Sequence, residues 1–397
     1  MSQTPRRTES SDALRIALVG PYRFPISEPY AGGLESHVSQ LAARLRAEGH
    51  RVTLFARAGS DGVEPGDELG GTLPHWEPTD AARADVSMPP AAAMLEHHAY
   101  QQLMLRLIHG EARRRFDLVH LHAVHHLPVA LAPSVPVPVL ATLHIPPTAW
   151  LESTLAVTRG DGASFTAVSE HVARAWTVLP QRPEVVLNGV DTDVWRPGPG
   201  GDALVWSGRL VPEKAPHLAI RAARRAGRSI VLAGPLLDHD YVAREVTPLL
   251  GDDVRYAGHL GQRELADLVG RSGAALITPV WEEPFGLTVA EAMACGTPVV
   301  AFDRGGVSEV VGAGGSGVLV PADDVEAMAA AIPVALGLDR LAVRHDAVTR
   351  LSHDRMVREY VGHYRRLVGS RAVTAPVAEV ARPKEVHELR DETPVVP

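Results

Sequence analysis

The sequence predicts an α/β protein built from two similar halves, on three observations. Short apolar runs such as Leu14-Arg-Ile-Ala-Leu-Val19 and Ala274-Ala275-Leu276-Ile277 recur along the chain, each suited to a buried strand. Each run is followed by a turn bearing glycine or proline and then by residues at helical spacing. The chain has 397 residues, long enough for two domains with separate cores. No short-period repeat is evident, although the halves share the strand–helix rhythm.

Composition excludes several classes. Hydrophobic residues make up 45% and charged residues 22%, as in ordinary globular proteins. Basic residues number 39 and acidic ones 47, a net charge of −8, which does not suggest a nucleic-acid partner. Cys295 is the single cysteine, so an internal disulfide is ruled out and a reducing cytoplasm fits; core packing is its expected role. No apolar run approaches the roughly 20 residues that span a bilayer. The polar start, MSQTPRRTESSDA, lacks the apolar core of a secretory signal. The expectation is a cytoplasmic protein with at most peripheral membrane contact.

Residues 1–13 are expected to be disordered. After the Leu14–Val19 strand comes a loop rich in proline and aromatic residues, and then Gly32-Gly33 opens a helix running through Glu48. Leu34, Val38, Leu41 and Leu45 give that helix its apolar face. Gly49 ends it, and Arg51–Ala56 is the second strand, completing a Rossmann-like unit. The glycines do not follow G-x-G-x-x-G, which disfavours NAD. Gly32 and Gly33 either form an ordinary tight turn or let backbone N–H groups approach an anion or sugar. Residues 58–92 read as a surface excursion and Met94 to Arg115 as a helix. Asp117-Leu-Val-His-Leu-His122 is a strand ending in histidines. His120, His122, His125 and His126 invite a metal reading, but the carboxylate of an H-E-x-x-H site is missing, so no metal is predicted. Val137–His144 and Ser164–Val168 are further strands, with Ser169 an N-cap candidate. Asp191-Thr-Asp193 reads as a turn. The first domain is placed at 14–190 and a linker at 191–202.

The second domain, 203–352, begins with the strand Ala203–Ser207 and then Gly208-Arg209-Leu210. Lys214 is expected to begin a helix. Arg209 and Lys214 are either two solvated charges or a planar fork and a compact cation suited to a diphosphate. A strand and glycine turn follow at Ser229–Pro235, and then the segment Val254–Leu260. Pro279 and Pro284 make Thr278–Phe285 a loop, and a helix runs from Gly286 until Gly296 stops it. Glu283 lies in the loop. Leu287 and Thr288 share a helical face with Glu291, which leans back toward the helix start. Unpaired N–H groups there suit a phosphate, with Glu291 beside it for sugar hydroxyls. Spacing alone is equally compatible with two solvated glutamates. Pro298–Phe302 and Gly317–Val320 are strands, and Asp323 is expected to cap the helix after them. Residues 353–368 form an amphipathic helix, and 370–397 is expected to be disordered.

The run from Glu283 to Glu291 (Glu-Pro-Phe-Gly-Leu-Thr-Val-Ala-Glu), continued by Ala-Met-Ala-Cys-Gly-Thr-Pro-Val-Val, resembles the E-x7-E motif of retaining glycosyltransferases of family 4. Other stretches are similar to the same family: Gly32-Gly33-Leu34-Glu35, the strand ending His120-Leu-His122, Asn188-Gly-Val-Asp191, Gly208-Arg209-Leu210 with Glu213-Lys214, and Gly258-His259-Leu260. Ala215 departs from it, standing where the family has glycine. The resemblance implies the GT-B fold: two Rossmann-like domains facing across a cleft, with the C-terminal helix crossing back to the first. It implies a nucleoside diphosphate sugar donor on the second domain. Arg209 and Lys214 would neutralise the diphosphate in place of a metal, helped by Gly208 and the backbone of Phe285, Gly286 and Leu287. Glu291, with Thr288, would hold the ribose and His259-Leu260 the base. Glu283 and His122 would orient the sugar, while Gly32 and Gly33 approach the diphosphate from the first domain. No metal or other cofactor is implied, and the acceptor would be a small molecule or glycan. Family frequency favours UDP-glucose or UDP-N-acetylglucosamine. Alternatives are a GDP-mannose-dependent mannosyltransferase acting on a lipid or glycan, a nucleotide-sugar epimerase or hydrolase, and a silent sugar-nucleotide binding module.

Overall fold

The computed structural model describes residues 13–63, 71–73, 75–84 and 90–373. The lead expected to be disordered falls outside these apart from residue 13, as do part of the 58–92 excursion and the tail beyond 373.

Strands β1 (Arg15–Val19), β2 (Arg51–Arg57), β3 (Thr72–Leu73), β4 (Leu118–Leu121), β5 (Val139–Leu143), β6 (Ser164–Ala167) and β7 (Glu184–Val185) form one sheet, ordered β3-β2-β1-β4-β5-β6-β7. Strands β8 (Leu204–Ser207), β9 (Ile230–Ala233), β10 (Val254–Tyr256), β11 (Ala275–Ile277), β12 (Val299–Phe302) and β13 (Gly317–Val320) form a second, ordered β10-β9-β8-β11-β12-β13. All named pairings in both sheets are parallel. Parallel strands are covered by helices on both faces, which is why they read as nearly continuous apolar runs. In β1, Ile16 and Leu18 face one core while Ala17 and Val19 face another. In β12, Val299 and Ala301 face one core while Val300 and Phe302 face the next. This is the expected pair of Rossmann-like halves.

Helix Gly33–Ala47 packs Val38, Leu41 and Leu45 onto the Ile16/Leu18 face. The same core receives Met356, Val357, Tyr360 and Tyr364 from the last helix, His353–Val373. Those four residues recur on one helical stripe, so the chain's end closes over the sheet where it began. The helix runs past 368, so 370–373 are helical rather than disordered.

Two local expectations are corrected. Lys214 lies in a 3-10 turn, Pro212–Lys214, and the α-helix begins at Pro216. Between them Ala215 has φ 44°, the left-handed region, which explains why glycine suits this turn and why alanine is strained here. The helix Val325–Leu336 is capped by Asp324, which accepts from the Ala327 N–H at 2.8 Å. Asp323 instead pairs with Arg304 at 2.7 Å. The Ser169 cap is as expected, its Oγ accepting from the Val172 N–H at 3.1 Å.

The turns after β8 and β9 meet closely. Gly234 has φ 140°, and a Cβ there would lie 1.8 Å from the Gly208 carbonyl oxygen. We expect Gly234→Ala to lower unfolding free energy by about 2–4 kcal/mol in denaturant titration. An unchanged midpoint would contradict this backbone approach.

Candidate active site

A cleft of about 490 Å³ opens between the carboxyl ends of the two sheets. Every site residue expected from the sequence lines it except His122. These are Gly32, Gly33, Gly208, Arg209, Lys214, His259, Leu260, Glu283, Phe285, Gly286, Leu287, Thr288 and Glu291.

The second domain supplies the charged wall. Arg209 lies two residues past the end of β8, and Lys214 sits one short turn later. Thr278, buried at the end of β11, donates to the Lys214 and Ala215 carbonyls at 3.0 Å each and accepts from Trp206 Nε1 at 3.1 Å. The strained turn is thereby tied to the loop that carries Glu283. Lys214 Nζ forms an ion pair with Glu283 Oε2. Trp281 Nε1 donates to the same oxygen at 3.0 Å, and the Lys214 ammonium lies 5.1 Å from the Trp281 ring centroid. The loop rests on glycines after β12: the Gly306 N–H donates to the Glu283 carbonyl at 2.7 Å, and a Cβ on Gly305 would lie 2.2 Å from that oxygen. Gly286, at φ 89°, turns the chain into helix Leu287–Ala294.

The first domain faces this wall closely. A Cβ on Gly33 would touch Leu287 Cδ2 at 3.4 Å, and one on Gly32 would lie 3.9 Å from Arg209 Cδ. His259 Nε2 donates to the Tyr30 carbonyl at 2.9 Å, and Gln262 Nε2 donates to Ser36 Oγ at 3.0 Å. The Glu309 carboxylate accepts from the Glu170 and His171 N–H groups at 2.6 and 2.7 Å. These contacts hold the two domains together on either side of the cleft.

Two comparisons agree with this arrangement. Residues 31–194 match Glycosyltransferase Family 4, and residues 195–347 match Glycosyl transferases group 1. Glycogen synthase of Mycobacterium tuberculosis is 30% identical, across 76% of this chain and 81% of its own. This chain belongs to glycosyltransferase family 4. The D-inositol 3-phosphate glycosyltransferase of Frankia alni is 31% identical over 74% of this chain and 83% of its own. Among solved structures, sucrose-phosphate synthase from Thermosynechococcus elongatus shares 19% identity with a TM-score of 0.70, over 89% of this chain and 99% of its own. HepE of Anabaena, solved with UDP and glucose, shares 17% with a TM-score of 0.63, over 88% and 99%. These two share the GT-B fold.

His122 of this glycosyltransferase requires a correction. Its ring is fully buried and absent from the cleft wall, with Nδ1 2.8 Å from His144 Nε2 and Nε2 3.2 Å from His120 Nδ1. Both nitrogens therefore serve protein partners, and a direct hydrogen bond to a sugar is excluded in this arrangement. His144 and His37 line the cleft in its place. Sequence reasoning missed both as site residues. The available signal was that β5, like β4, ends in a histidine; His37 lies inside a helix and gave none. The rings of His37, His122 and His144 form a near-equilateral triangle with centroids 5.0–5.2 Å apart. Their nitrogens lie close enough to share an ion, as do those of His97, His125 and His126. The four histidines that invited a metal reading are thus split between two clusters, with His120 in neither. Burial pushes His37 and His122 well below the ordinary imidazole range and His144 to about 3, so all three are neutral at pH 7.

Cys295 is buried, and desolvation raises its thiol to about 12, in line with a packing role. Glu291 is almost wholly enclosed, and burial raises its carboxyl from 4.5 to about 8. The folded protein therefore keeps a proton that the unfolded chain releases near 4.5. The stability this confers is complete below that pH and is lost as pH rises toward 8. The parent should thus lose on the order of 3–5 kcal/mol more than Glu291→Gln as pH is raised through this window. Denaturant unfolding of both proteins across the range checks it; parallel curves would show that Glu291 is not a buried acid.

Proposed function

We propose that this glycosyltransferase moves a hexose from a nucleoside diphosphate sugar to a hydroxyl of a small-molecule acceptor, with retention and without a metal. The observation that carries this reading is the meeting of Arg209, Lys214, Glu283, Glu291 and the Leu287 helix start in one cleft. UDP-glucose is the favoured donor, consistent with the uridine nucleotide and glucose bound by HepE. The named relatives, one a glycogen synthase and the other an inositol phosphate glycosyltransferase, support a hydroxyl acceptor.

The diphosphate lies between Arg209, Lys214 and the N–H groups at the start of helix Leu287–Ala294. Lys214 is held by Glu283, so donor binding divides the ammonium between the carboxylate and the phosphate. Glu283, kept in place by Trp281 and the Gly305-Gly306 turn, then faces the sugar, and Glu291 holds the ribose hydroxyls. Glu283 already shares an oxygen with Lys214 and Trp281, which suits positioning better than covalent attack. Transfer is therefore front-face. The bond from the sugar's anomeric carbon to the diphosphate oxygen breaks, and a bond to the acceptor oxygen forms on the same side. The acceptor's proton passes to the departing phosphate. The acceptor sits on the first domain, beside Glu96, Val124 and His144. Among the described residues no helix is long and apolar enough to cross a membrane, which fits a cytoplasmic enzyme with at most peripheral membrane contact.

UDP-glucose turnover tests the reading: Lys214→Ala should reduce kcat by about 10²–10³-fold, the usual scale for losing a preorganised charge at a leaving group. Wild-type rates in both Lys214→Ala and Glu283→Ala would remove this site. Treatment with EDTA should leave turnover intact, and its complete loss would restore a metal to the reaction.

A further inference from the structure

The first domain carries a cluster of rings that the transfer step leaves unused. Trp150 stands in the first turn of helix Ala149–Thr158 with 72% of its surface exposed. His126 stacks on one face of the indole, with centroids 5.1 Å apart and planes inclined by 22°. Behind it His125 stacks on His126 at 4.3 Å and 24°, and His97 lies 5.9 and 6.0 Å from these two imidazoles. Three stretches remote in the chain meet here: helix Ala91–Arg106, the turn after β4 and the start of helix Ala149–Thr158. Each adjoins the cleft wall, where Glu96 precedes His97, Val124 precedes His125, and Ile145 comes shortly before Trp150. Five extended residues reach at most about 17 Å, so the indole stands near the rim of the cleft.

The column is held firmly at its inner end and open at its outer one. His125 Nδ1 accepts the Leu127 N–H at 3.1 Å, which fixes that ring, and His126 is half-buried between its neighbours. The outer face of Trp150 has no such cover. Because stacking already holds the indole, little side-chain freedom is left to lose when a ligand settles on it. Burial keeps His125 near 4 and His126 below the ordinary imidazole range, so both are uncharged at pH 7 and offer nothing to draw an anion. Glu96 forms no ion pair among the described residues and presents a carboxylate to the same side of the cleft. A flat aromatic face bordered by neutral imidazoles and a carboxylate matches a pyranose, which has an apolar C–H face and an edge of hydroxyl groups.

Other ligands fit less well. An imidazole binds an ion in its own plane, and the nearly parallel rings of His125 and His126 do not point at one ion; His125 Nδ1 is also engaged. An anionic membrane finds Glu152 and no lysine or arginine on helix Ala149–Thr158.

We propose that Trp150 is a carbohydrate platform at the rim of the cleft: its open face stacks on a pyranose of the acceptor beyond the one that reacts, so the acceptor is a short oligosaccharide. That this sugar belongs to the acceptor rests on the proposed transferase reading; binding of a pyranose at Trp150 does not.

Calorimetric titration of the full chain with maltotetraose, cellotetraose and the tetramer of N-acetylglucosamine, without donor, tests the platform. At least one tetramer should bind more tightly than its own monosaccharide by about tenfold, the scale of one aromatic contact. Trp150→Ala should abolish that advantage, and Trp150→Phe, which keeps an aromatic face, should retain most of it. No binding of any tetramer, or an equal advantage in Trp150→Ala, would overturn the proposal. With UDP-glucose as donor, the loss in Trp150→Ala should fall on the KM of the tetramer rather than on kcat. Tetramer binding that depends on Trp150 without any transfer by the parent would refute the transferase reading and support the platform. Binding to phosphatidylglycerol vesicles that Trp150→Ala removes would overturn the platform in favour of a membrane contact.

Discussion

The ion pair between Lys214 and Glu283 is the contact on which the cleft depends. It joins the turn after β8 to the loop after β11, two strands that are neighbours in the second sheet. Both side chains are largely withdrawn from water, with 22% and 11% of their surface exposed, so neither could be left unpaired without a substantial cost. Trp281 adds a hydrogen bond to the carboxylate and an aromatic face to the ammonium. Thr278 fixes the backbone beneath both. The result is a charged centre held ready before any ligand arrives, with little reorganisation left to the moment of binding.

The strain around that centre is placed where it keeps the charges apart from bulk solvent. Ala215 is left-handed, and Gly208, Gly234 and Gly305 stand where a side chain would strike backbone or a neighbouring ring. These positions bring four turns at the carboxyl ends of the strands into a space too small for ordinary loops. Glu291, buried one helical turn behind, has its carboxyl raised to about 8 by burial, which favours the neutral acid at pH 7. Hydroxyl groups arriving beside it would replace the water it has lost. The first domain contributes the neutral histidines His37 and His144 to the opposite wall, together with Arg23, Glu35 and Glu96.

Much of the site was legible in the chain because its residues are local in sequence. Glu283, Phe285, Gly286, Leu287, Thr288 and Glu291 belong to one loop and one helix, and helical geometry alone puts the last three on a common face. Arg209 and Lys214 are likewise separated by one turn. His122 was misplaced for an equally physical reason. A strand's alternation shows which residues share a face, but not which of several clustered histidines lies nearest the opening. Nothing local marks His37 as a neighbour of His144, or Gly305 as the support for the Glu283 carbonyl.

By itself the sequence determined the two parallel α/β halves, since buried strands, glycine turns and amphipathic helices are written in short-range pattern. It also determined the family, through a long contiguous motif. Tertiary structure alone decided which side chains meet across the cleft, because that depends on the distance between loops remote in the chain. It also decided that the last helix would bring Tyr360 and Tyr364 under β4 and β5. The protonation of a buried imidazole follows from every donor and acceptor around it, and those partners are assembled only when residues hundreds of positions apart are packed together.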